Sequence, residues 1–138
     1  MKNKEQATQK LIPPPYEPTL RMIAMPKDTN ANGNIFGGWL VSLMDMAAGS
    51  AAWQRAKGPA VTVAIEKMEF HQPVFVGDEV SCYTHVERVG KTSITIKVES
   101  WVRKRFSATN WVKVTQGTFI FVAIDENHKP RLIPADTE

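Results

Sequence analysis

Only one cysteine, Cys82, occurs among the 138 residues, so a disulfide within the chain is excluded. The sequence also has no Cys-x-x-Cys pair and no histidine-rich cluster, the patterns that zinc sites use, and we expect no metal site. Cys82 alternates with Val80 and Thr84 in a strand-like run without a basic partner. We therefore interpret Cys82 as a packed thiol rather than a nucleophile.

Long apolar segments are absent from the sequence as well. No run of about eighteen apolar residues occurs, so the sequence predicts neither a membrane-spanning helix nor a membrane partner. The first residues are polar and do not form the apolar centre of a signal peptide, so we expect a cytoplasmic location. The length fits one domain, assigned to residues 19–134, between a flexible proline-rich arm at 1–18 and a short tail at 135–138.

The excess of positive charge is small. Seventeen lysines and arginines stand against fourteen aspartates and glutamates, a formal net charge of +3. Because these charges are scattered along the chain, we expect no nucleic acid partner. A mild positive balance is compatible with a small phosphorylated ligand.

One long segment is almost free of charge. Between Trp39 and Gln54 the only charged residue is Asp45. Apolar residues recur there at helical spacing, which predicts a helix from Trp39 to about Trp53 that stops at the following Gly-Pro pair. Residues 47–52 are all small, as expected of a helix enclosed by a curved sheet.

The carboxylate on this helix needs an explanation, because a buried ionised group costs roughly several kcal/mol unless it is paired or hydrogen-bonded. Helical geometry places Asp45 at the edge of the apolar stripe, where it can line a cleft. The plain alternative is an aspartate that faces solvent or bonds a neighbouring loop. Gly37 and Gly38 lie where the first backbone N–H groups of the helix emerge, and such groups attract a polarised carbonyl oxygen. The segment thus combines an electrophilic site with a candidate base.

Extended runs with short, turn-prone connections surround this helix, which indicates antiparallel neighbours. We predict an α+β fold in which a curved, five-stranded antiparallel sheet wraps around one long central helix. One helix cannot cover both faces of that sheet, and exposed Trp101 and Trp111 would be liabilities, so we expect a dimer. The predicted strands are residues 19–25, 60–71, 79–89, 92–105 and 111–124.

Two motifs resemble those of a known family. The first is Asn30-x-x-Gly33-x-x-Phe36-Gly37-Gly38, followed after six residues by Asp45, and the second is Phe70-x-x-Pro73-Val74-x-x-Gly77-Asp78. Together they are similar to the hot-dog-fold acyl-CoA thioesterases, nearest to the bacterial YciA-type acyl-CoA hydrolases, from about Leu20 to Pro134. The resemblance implies the hot-dog fold, an acyl-CoA substrate, dimers that share active sites across their interface, and a hexamer built from three dimers.

The same resemblance implies roles for individual residues. Asp45 would be the catalytic acid or base, and Asn30 of the partner subunit would complete the site. Gly37 and Gly38 would form the turn whose backbone N–H, at Gly38, stabilises the oxyanion. Without the family pattern, Asn30 is better interpreted as a turn-forming residue. Either Asp45 activates water or it attacks the thioester directly, and the sequence does not separate the two routes.

Candidate contacts to the coenzyme A part of the substrate lie in a predicted turn and near the C-terminus. The turn at Lys91, Thr92 and Ser93 offers a cation, hydroxyls and backbone amides for phosphate. Arg103 and Arg131 are further candidates, and solvation at the surface is the alternative for each. Coenzyme A would be part of substrate and product, so no cofactor is expected.

The main alternative function is a non-catalytic acyl-CoA-binding or regulatory module with the same fold. Such a module would keep the glycine turn but would not need Asp45. A dehydratase of this fold would need a histidine near the helix, and none lies between Thr29 and Trp53. Glu69 and His71 share one strand face, and we interpret them as a structural ion pair rather than an acid–base pair.

Overall fold

One long helix and five strands make up most of the chain that the computed structural model describes, residues 12–104 and 107–136. A short 3-10 turn, Pro26–Asp28, precedes the helix. Every predicted strand is present, with small differences at the ends. In chain order the elements are β1 (Leu20–Ile23), α1 (Gly37–Ala56), β2 (Ala60–Phe70), β3 (Glu79–Val89), β4 (Ser93–Arg103) and β5 (Trp111–Ala123).

The five strands form one antiparallel sheet in the order β1-β3-β4-β5-β2. Strand β4 lies at the centre and pairs along its length with β3 and β5, because short turns connect these three strands. Strand β2 follows the helix in sequence and lies at the far edge beside β5. This arrangement confirms the predicted α+β hot-dog fold, with one sheet around one helix.

The inner face of the sheet and one side of α1 form the core. Side chains of a strand alternate between its faces, so every second residue of β4 and β5 points inwards and is buried. Burial of each large apolar side chain contributes roughly 1.5–3 kcal/mol. The strands contribute Ile94, Ile96, Val98, Phe119 and Phe121, and α1 contributes Leu40, Leu43, Met44, Ala47, Ala48, Ala52 and Ala56.

Helix α1 extends slightly beyond its predicted ends. It begins at Gly37, two residues before the predicted start at Trp39, and it ends at Ala56. Lys57 then adopts a left-handed conformation, with φ of 55°. The N–H of Gly58 donates to the carbonyl of Trp53 at 3.2 Å, which closes the helix before the Gly-Pro pair.

The expectation that Trp101 is exposed is wrong. Ser100, Trp101 and Val102 are all buried, and so is Ser81, the partner of Trp101 on β3, so both faces of the sheet are covered at this end of β4. The indole N–H of Trp101 donates to Glu99 Oε1 at 3.0 Å. Trp111 is half-buried. The exposed apolar residues include Val61, Val63 and Ile65 of the edge strand β2 and Met22 and Ile23 of the opposite edge strand β1.

The predicted terminal segments are described only in part, since residues 1–11 of the arm and 137–138 of the tail lie outside the described residues. From residue 12 to residue 18 the chain contains no helix or strand. Tyr16 lies edge-on against Tyr83, with ring centroids 6.0 Å apart and ring planes at 81°. The domain boundaries at residues 18 and 134 stay a prediction. Among the described helices, none is long and apolar enough to cross a membrane.

Candidate active site

Asp45 lies on the side of α1 that faces β2. Its Oδ1 accepts a hydrogen bond of 2.6 Å from Thr62 Oγ1, on β2. The aspartate is half-buried, and within the described residues Thr62 is the only side chain that donates to it. One carboxylate oxygen is therefore held in place, and Oδ2 is left for another partner.

The N-terminus of α1 presents backbone donors. Phe36 precedes the helix without a side-chain capping bond, so in the described part of the chain nothing caps the N–H groups of Gly37 and Gly38. These groups and the helix dipole favour a polarised carbonyl oxygen. A cleft of about 330 Å³ opens beside this end, lined in part by Phe70 and residues 71–74. A Cβ at Gly37 would come within 3.2 Å of the Phe70 ring, so only glycine lets the ring pack this closely.

Gly38 and Asp45 occupy different levels of α1. They are seven positions apart, which at 1.5 Å per residue is roughly 10 Å along the helix axis. The N–H groups of the first turn point out of the helix and away from Asp45, so an oxygen bound to Gly38 lies further away still. A separation of this size favours a site in which a second subunit contributes one of the two groups.

Asn30 organises the loop that precedes α1. Its side-chain Oδ1 accepts hydrogen bonds from the N–H groups of Asn32, at 2.9 Å, and Asn34, at 3.1 Å. Gly33, with φ of 82°, supplies the positive φ that this turn requires. The loop uses the oxygen of the Asn30 amide and leaves the Nδ2 donors for a ligand. Among the described hydrogen bonds, none joins Asn30 to Asp45.

Lys91, Thr92 and Ser93 form the turn between β3 and β4, near the C-terminal end of α1. The backbone carbonyls of Lys91 and Thr92 accept hydrogen bonds from Ile133, at 2.8 Å, and Ala123, at 2.9 Å. Lys91 is exposed, and Thr92 and Ser93 are half-buried. Because the C-terminal segment pairs with this turn, Arg131 lies at the same end of the domain.

Arg131 contacts backbone carbonyls around the C-terminus of α1. Its guanidinium donates to Ile124 O at 2.9 Å, Ala56 O at 3.0 Å and Pro59 O at 3.3 Å. The last carbonyls of a helix have no partner within it, and a cation there is favourable. We call these three hydrogen bonds the Arg131 clamp. A Cβ at Gly58 would lie 2.7 Å from Nη2 of Arg131, so the clamp requires glycine at position 58. Arg131 thus has a structural role besides its predicted contact with substrate.

Arg103 lies at the opposite end of the sheet. It is ten positions from Ser93 along β4, which corresponds to roughly 33 Å in an extended strand. Its Nη2 donates to Glu79 Oε2 at 3.1 Å, and with Lys104 it lines a second cleft of about 320 Å³. Within one chain, Arg103 and Lys91 cannot contact the same phosphate group.

Two other potentially reactive sites are structural. Cys82 is fully buried, and burial raises the pKa of its thiol to about 11, which confirms the predicted packed thiol. Glu69 Oε1 lies 3.5 Å from His71 Nε2 and accepts a hydrogen bond from Gln116 Nε2, so the two side chains are neighbours on the surface, as predicted. Within residues 12–104 and 107–136, no group of three or more metal-binding side chains occurs.

Thr62 is the functional contact that the sequence analysis missed. It shares the inward face of β2 with Ala60, next to the small residues of α1. A hydroxyl at an inward position of a strand was the available signal, since such a group needs a hydrogen-bond partner. The pairing with Asp45 could not be assigned without the packing of β2 against α1.

Known proteins share much of this sequence. The model of the thioesterase superfamily matches residues 32–105. The acyl-CoA thioester hydrolase YciA of Salmonella typhimurium is 49% identical over 88% of this chain and 92% of that protein. The alignment therefore spans nearly all of both proteins.

Solved structures with the same fold include two hydrolases. An aspartate-to-alanine mutant of a hexameric broad-specificity acyl-coenzyme A thioesterase is 48% identical, with a TM-score of 0.83 over 87% of this chain and 88% of that chain. The acyl-CoA hydrolase of Staphylococcus aureus, solved as an asparagine-to-alanine mutant with coenzyme A, is 25% identical. Its TM-score is 0.78, over 84% of this chain and 69% of that chain. It has also been solved as an aspartate-to-alanine mutant. Sequence and fold together show that this chain belongs to the thioesterase superfamily, as an acyl-CoA thioester hydrolase with the hot-dog fold.

Proposed function

We propose that the protein hydrolyses acyl-CoA at an active site shared by two subunits. Asp45 comes from one subunit, and Gly38 and Asn30 come from the other. The observation that carries this proposal is the separation of Gly38 from Asp45 along α1, roughly 10 Å, which favours an oxyanion donor from a second copy. A second copy supplies the missing half, and a two-fold dimer forms two such sites.

In this site Asp45 acts as a general base. Thr62 holds Oδ1, and Oδ2 takes a proton from a water molecule whose oxygen attacks the thioester carbon. The backbone N–H of Gly38 of the partner subunit donates to the oxyanion, with support from the helix dipole. When the intermediate collapses, the C–S bond breaks, the acyl group leaves as a carboxylic acid, and the sulfur of coenzyme A takes the proton from Asp45. Water is the only co-reactant, so the reaction needs no metal or cofactor.

Asn30 of the partner subunit binds the thioester carbonyl or the attacking water through its Nδ2 donors. The hydrogen bonds from Asn32 and Asn34 to its Oδ1 fix the amide and turn Nδ2 away from the loop. The mutants of the Staphylococcus aureus hydrolase support this pairing. The altered asparagine and aspartate of that protein are separated in sequence by as many residues as Asn30 and Asp45 are here.

For the phosphates of coenzyme A we propose the turn at Lys91, Thr92 and Ser93. It combines an exposed ammonium group with hydroxyl donors, and Arg131 adds positive charge from the adjacent C-terminal segment. Gly37 contributes beside the thioester, because the backbone N–H groups of this helix end have no side-chain cap. Arg103 lies too far from Lys91 to bind the same phosphate group. It would contact substrate bound at a site that the partner subunit completes.

Edge strand β2 is the proposed dimer contact. It is eleven residues long and exposes Val61, Val63 and Ile65, whereas the other edge strand, β1, has only four residues. The broad-specificity thioesterase with the same fold is hexameric, and we propose a trimer of dimers for this protein too. We also propose a cytoplasmic location.

Release of free thiol from acyl-CoA esters tests the catalytic proposal. The wild type is expected to release coenzyme A, and Asp45→Asn, which keeps the size of the side chain, is expected to lower kcat about 100-fold or more. Asn30→Ala is expected to lower it as well. A purified wild type that binds acyl-CoA but releases no thiol above background would instead be a binding module.

Mixed dimers test the shared site. A dimer of one Asp45→Asn subunit and one Asn30→Ala subunit carries one site in which both mutations meet and one site with both original residues. Refolding the two variants together is expected to restore activity above that of either variant alone. If the mixture is no more active than its parts, each site lies within one subunit.

Single-turnover hydrolysis in ¹⁸O-labelled water separates the general-base route from direct attack by Asp45. With Asp45 as the base, the label enters the released carboxylic acid and the protein stays unlabelled. Attack by Asp45 forms an anhydride with the acyl group. Label in the Asp45 carboxylate, measured by peptide mass, would establish that second route.

A further inference from the structure

Asp45, Gly49 and Trp53 form one row along α1. Residues four apart lie on neighbouring turns of the same helix face, and the row extends roughly 12 Å along the axis. The middle member of the row is glycine, which has no side chain. A notch therefore separates the carboxylate of Asp45 from the indole of Trp53.

Both ends of this notch are bonded to β2. Asp45 Oδ1 accepts the hydrogen bond from Thr62, and Trp53 Nε1 donates to Ala60 O at 2.9 Å. Ala60 and Thr62 are alternate residues of the strand, so they face the same side. The notch consequently has one wall from α1 and one from β2, and the indole is fixed at its end.

The floor of the notch is Phe121 of β5. A Cβ built at Gly49 would lie 3.7 Å from Phe121 Cε2, an ordinary contact distance. Gly49 is half-buried, and Trp53 is 51% exposed in spite of its hydrogen bond. The notch is thus apolar, accessible to a ligand, and closed at one end by the indole ring.

We propose that this notch binds the first part of the substrate's acyl chain and that Trp53 limits the length of the chain. The inference rests on the proposed function, because it takes Asp45 as the residue beside the thioester. An acyl chain has no group that forms hydrogen bonds, and the lining matches it: the single polar atom of the indole is already bonded to Ala60. A chain that outgrows the notch meets the ring of Trp53.

Two substitutions change the notch in opposite directions. Trp53→Ala removes the closing wall and is expected to raise the ratio of kcat/KM for dodecanoyl-CoA to that for butyryl-CoA about tenfold or more. Gly49→Ala adds a methyl group to the α1 wall, above Phe121, and is expected to lower the same ratio about tenfold. The space beside Phe121 accepts this methyl group, and alanine favours a helix more than glycine does, so the variant keeps its fold.

The ratio does not depend on the amount of active enzyme, so loss of folded protein cannot imitate the effect. Trp53→Phe keeps an aromatic ring without the N–H and is expected to stay close to the wild-type ratio. Gln54→Ala changes the exposed neighbouring residue and is expected to leave the ratio unchanged.

The outcomes separate the two proposals. If the wild type hydrolyses acyl-CoA but Trp53→Ala and Gly49→Ala leave the ratio unchanged, or shift it in the same direction, the acyl-notch inference is overturned and the proposed function stands. If the wild type hydrolyses no acyl-CoA, the proposed function is overturned, and the inference with it.

Discussion

Thr62 Oγ1 donates a hydrogen bond to Asp45 Oδ1 over 2.6 Å, which connects the edge strand β2 to the central helix. A hydrogen bond to a charged acceptor contributes about 1.5–3 kcal/mol. It also fixes the carboxylate rotamer, so that Oδ2 keeps one direction relative to the helix. Thr62 is therefore a positioning residue for the proposed base.

Replacing Thr62 by valine, which has nearly the same shape, tests this role. Thr62→Val is expected to lower kcat about tenfold or more and to change KM little, because the carboxylate loses its orientation while the substrate contacts remain. Thr62→Ser keeps the hydroxyl and is expected to restore most of kcat. Steady-state kinetics on one acyl-CoA ester measure both. A Thr62→Val enzyme with wild-type kcat would show that Asp45 needs no such support.

Loss of the Arg131 clamp is expected to destabilise the fold. Arg131→Leu removes the three hydrogen bonds to Ile124, Ala56 and Pro59 and is expected to lower the free energy of unfolding by about 2–3 kcal/mol. Urea unfolding measures this change. Arg88→Leu removes a positive charge from an exposed position of β3 and serves as the control. Equal stability of the two variants would mean that the clamp contributes nothing beyond its charge.

The buried thiol of Cys82 predicts a loss of stability in alkali. Burial raises its pKa from the ordinary value of 9.0 to about 11. Below pH 9 the thiol is neutral in both states, and above it the unfolded chain ionises first, so about 3 kcal/mol is lost as the pH rises through 11. Urea unfolding at pH 8 and at pH 10.5 is expected to show a smaller decline for Cys82→Ala than for the wild type. An equal decline would assign the alkaline loss to other groups.

A charge on the edge of β2 is expected to separate the subunits. Val63 is 55% exposed on this strand, and Val63→Lys places an ammonium group where the proposed dimer contact buries apolar surface. Light scattering after gel filtration is expected to show a smaller particle, and thiol release is expected to fall with it, because each proposed site needs two copies. Met22→Lys on the opposite edge strand is the matched control. An active Val63→Lys protein of unchanged mass would exclude this edge as the contact.

Most of the fold could be predicted because its signals are local. The strand Glu79–Val89 has the predicted bounds, since turn residues on both sides mark its ends. The burial of Trp101 could not be predicted in this way. It depends on the outer face of the sheet being covered at this end of β4, and alternation alone assigns an outward side chain to solvent.

The same distinction applies to the candidate site. Asp45 and the Gly37-Gly38 turn attract attention in the sequence, because a lone charge on an apolar helix and glycines at its start are visible without a structure. Thr62 becomes visible only when β2 packs against α1. The separation of Arg103 from Lys91 likewise becomes visible only in the structure, because the extended strand β4 lies between them.

The strand order also has a consequence for biosynthesis. Strand β2 pairs with β5 alone, although β3 and β4 are translated between them. On the ribosome, β2 thus waits without a hydrogen-bonded neighbour until Trp111–Ala123 has emerged, and the sheet cannot close around the helix before then. A nascent chain that terminates early leaves its apolar faces open to chaperones and proteases, so truncated products should be degraded rather than accumulate as partly working enzyme.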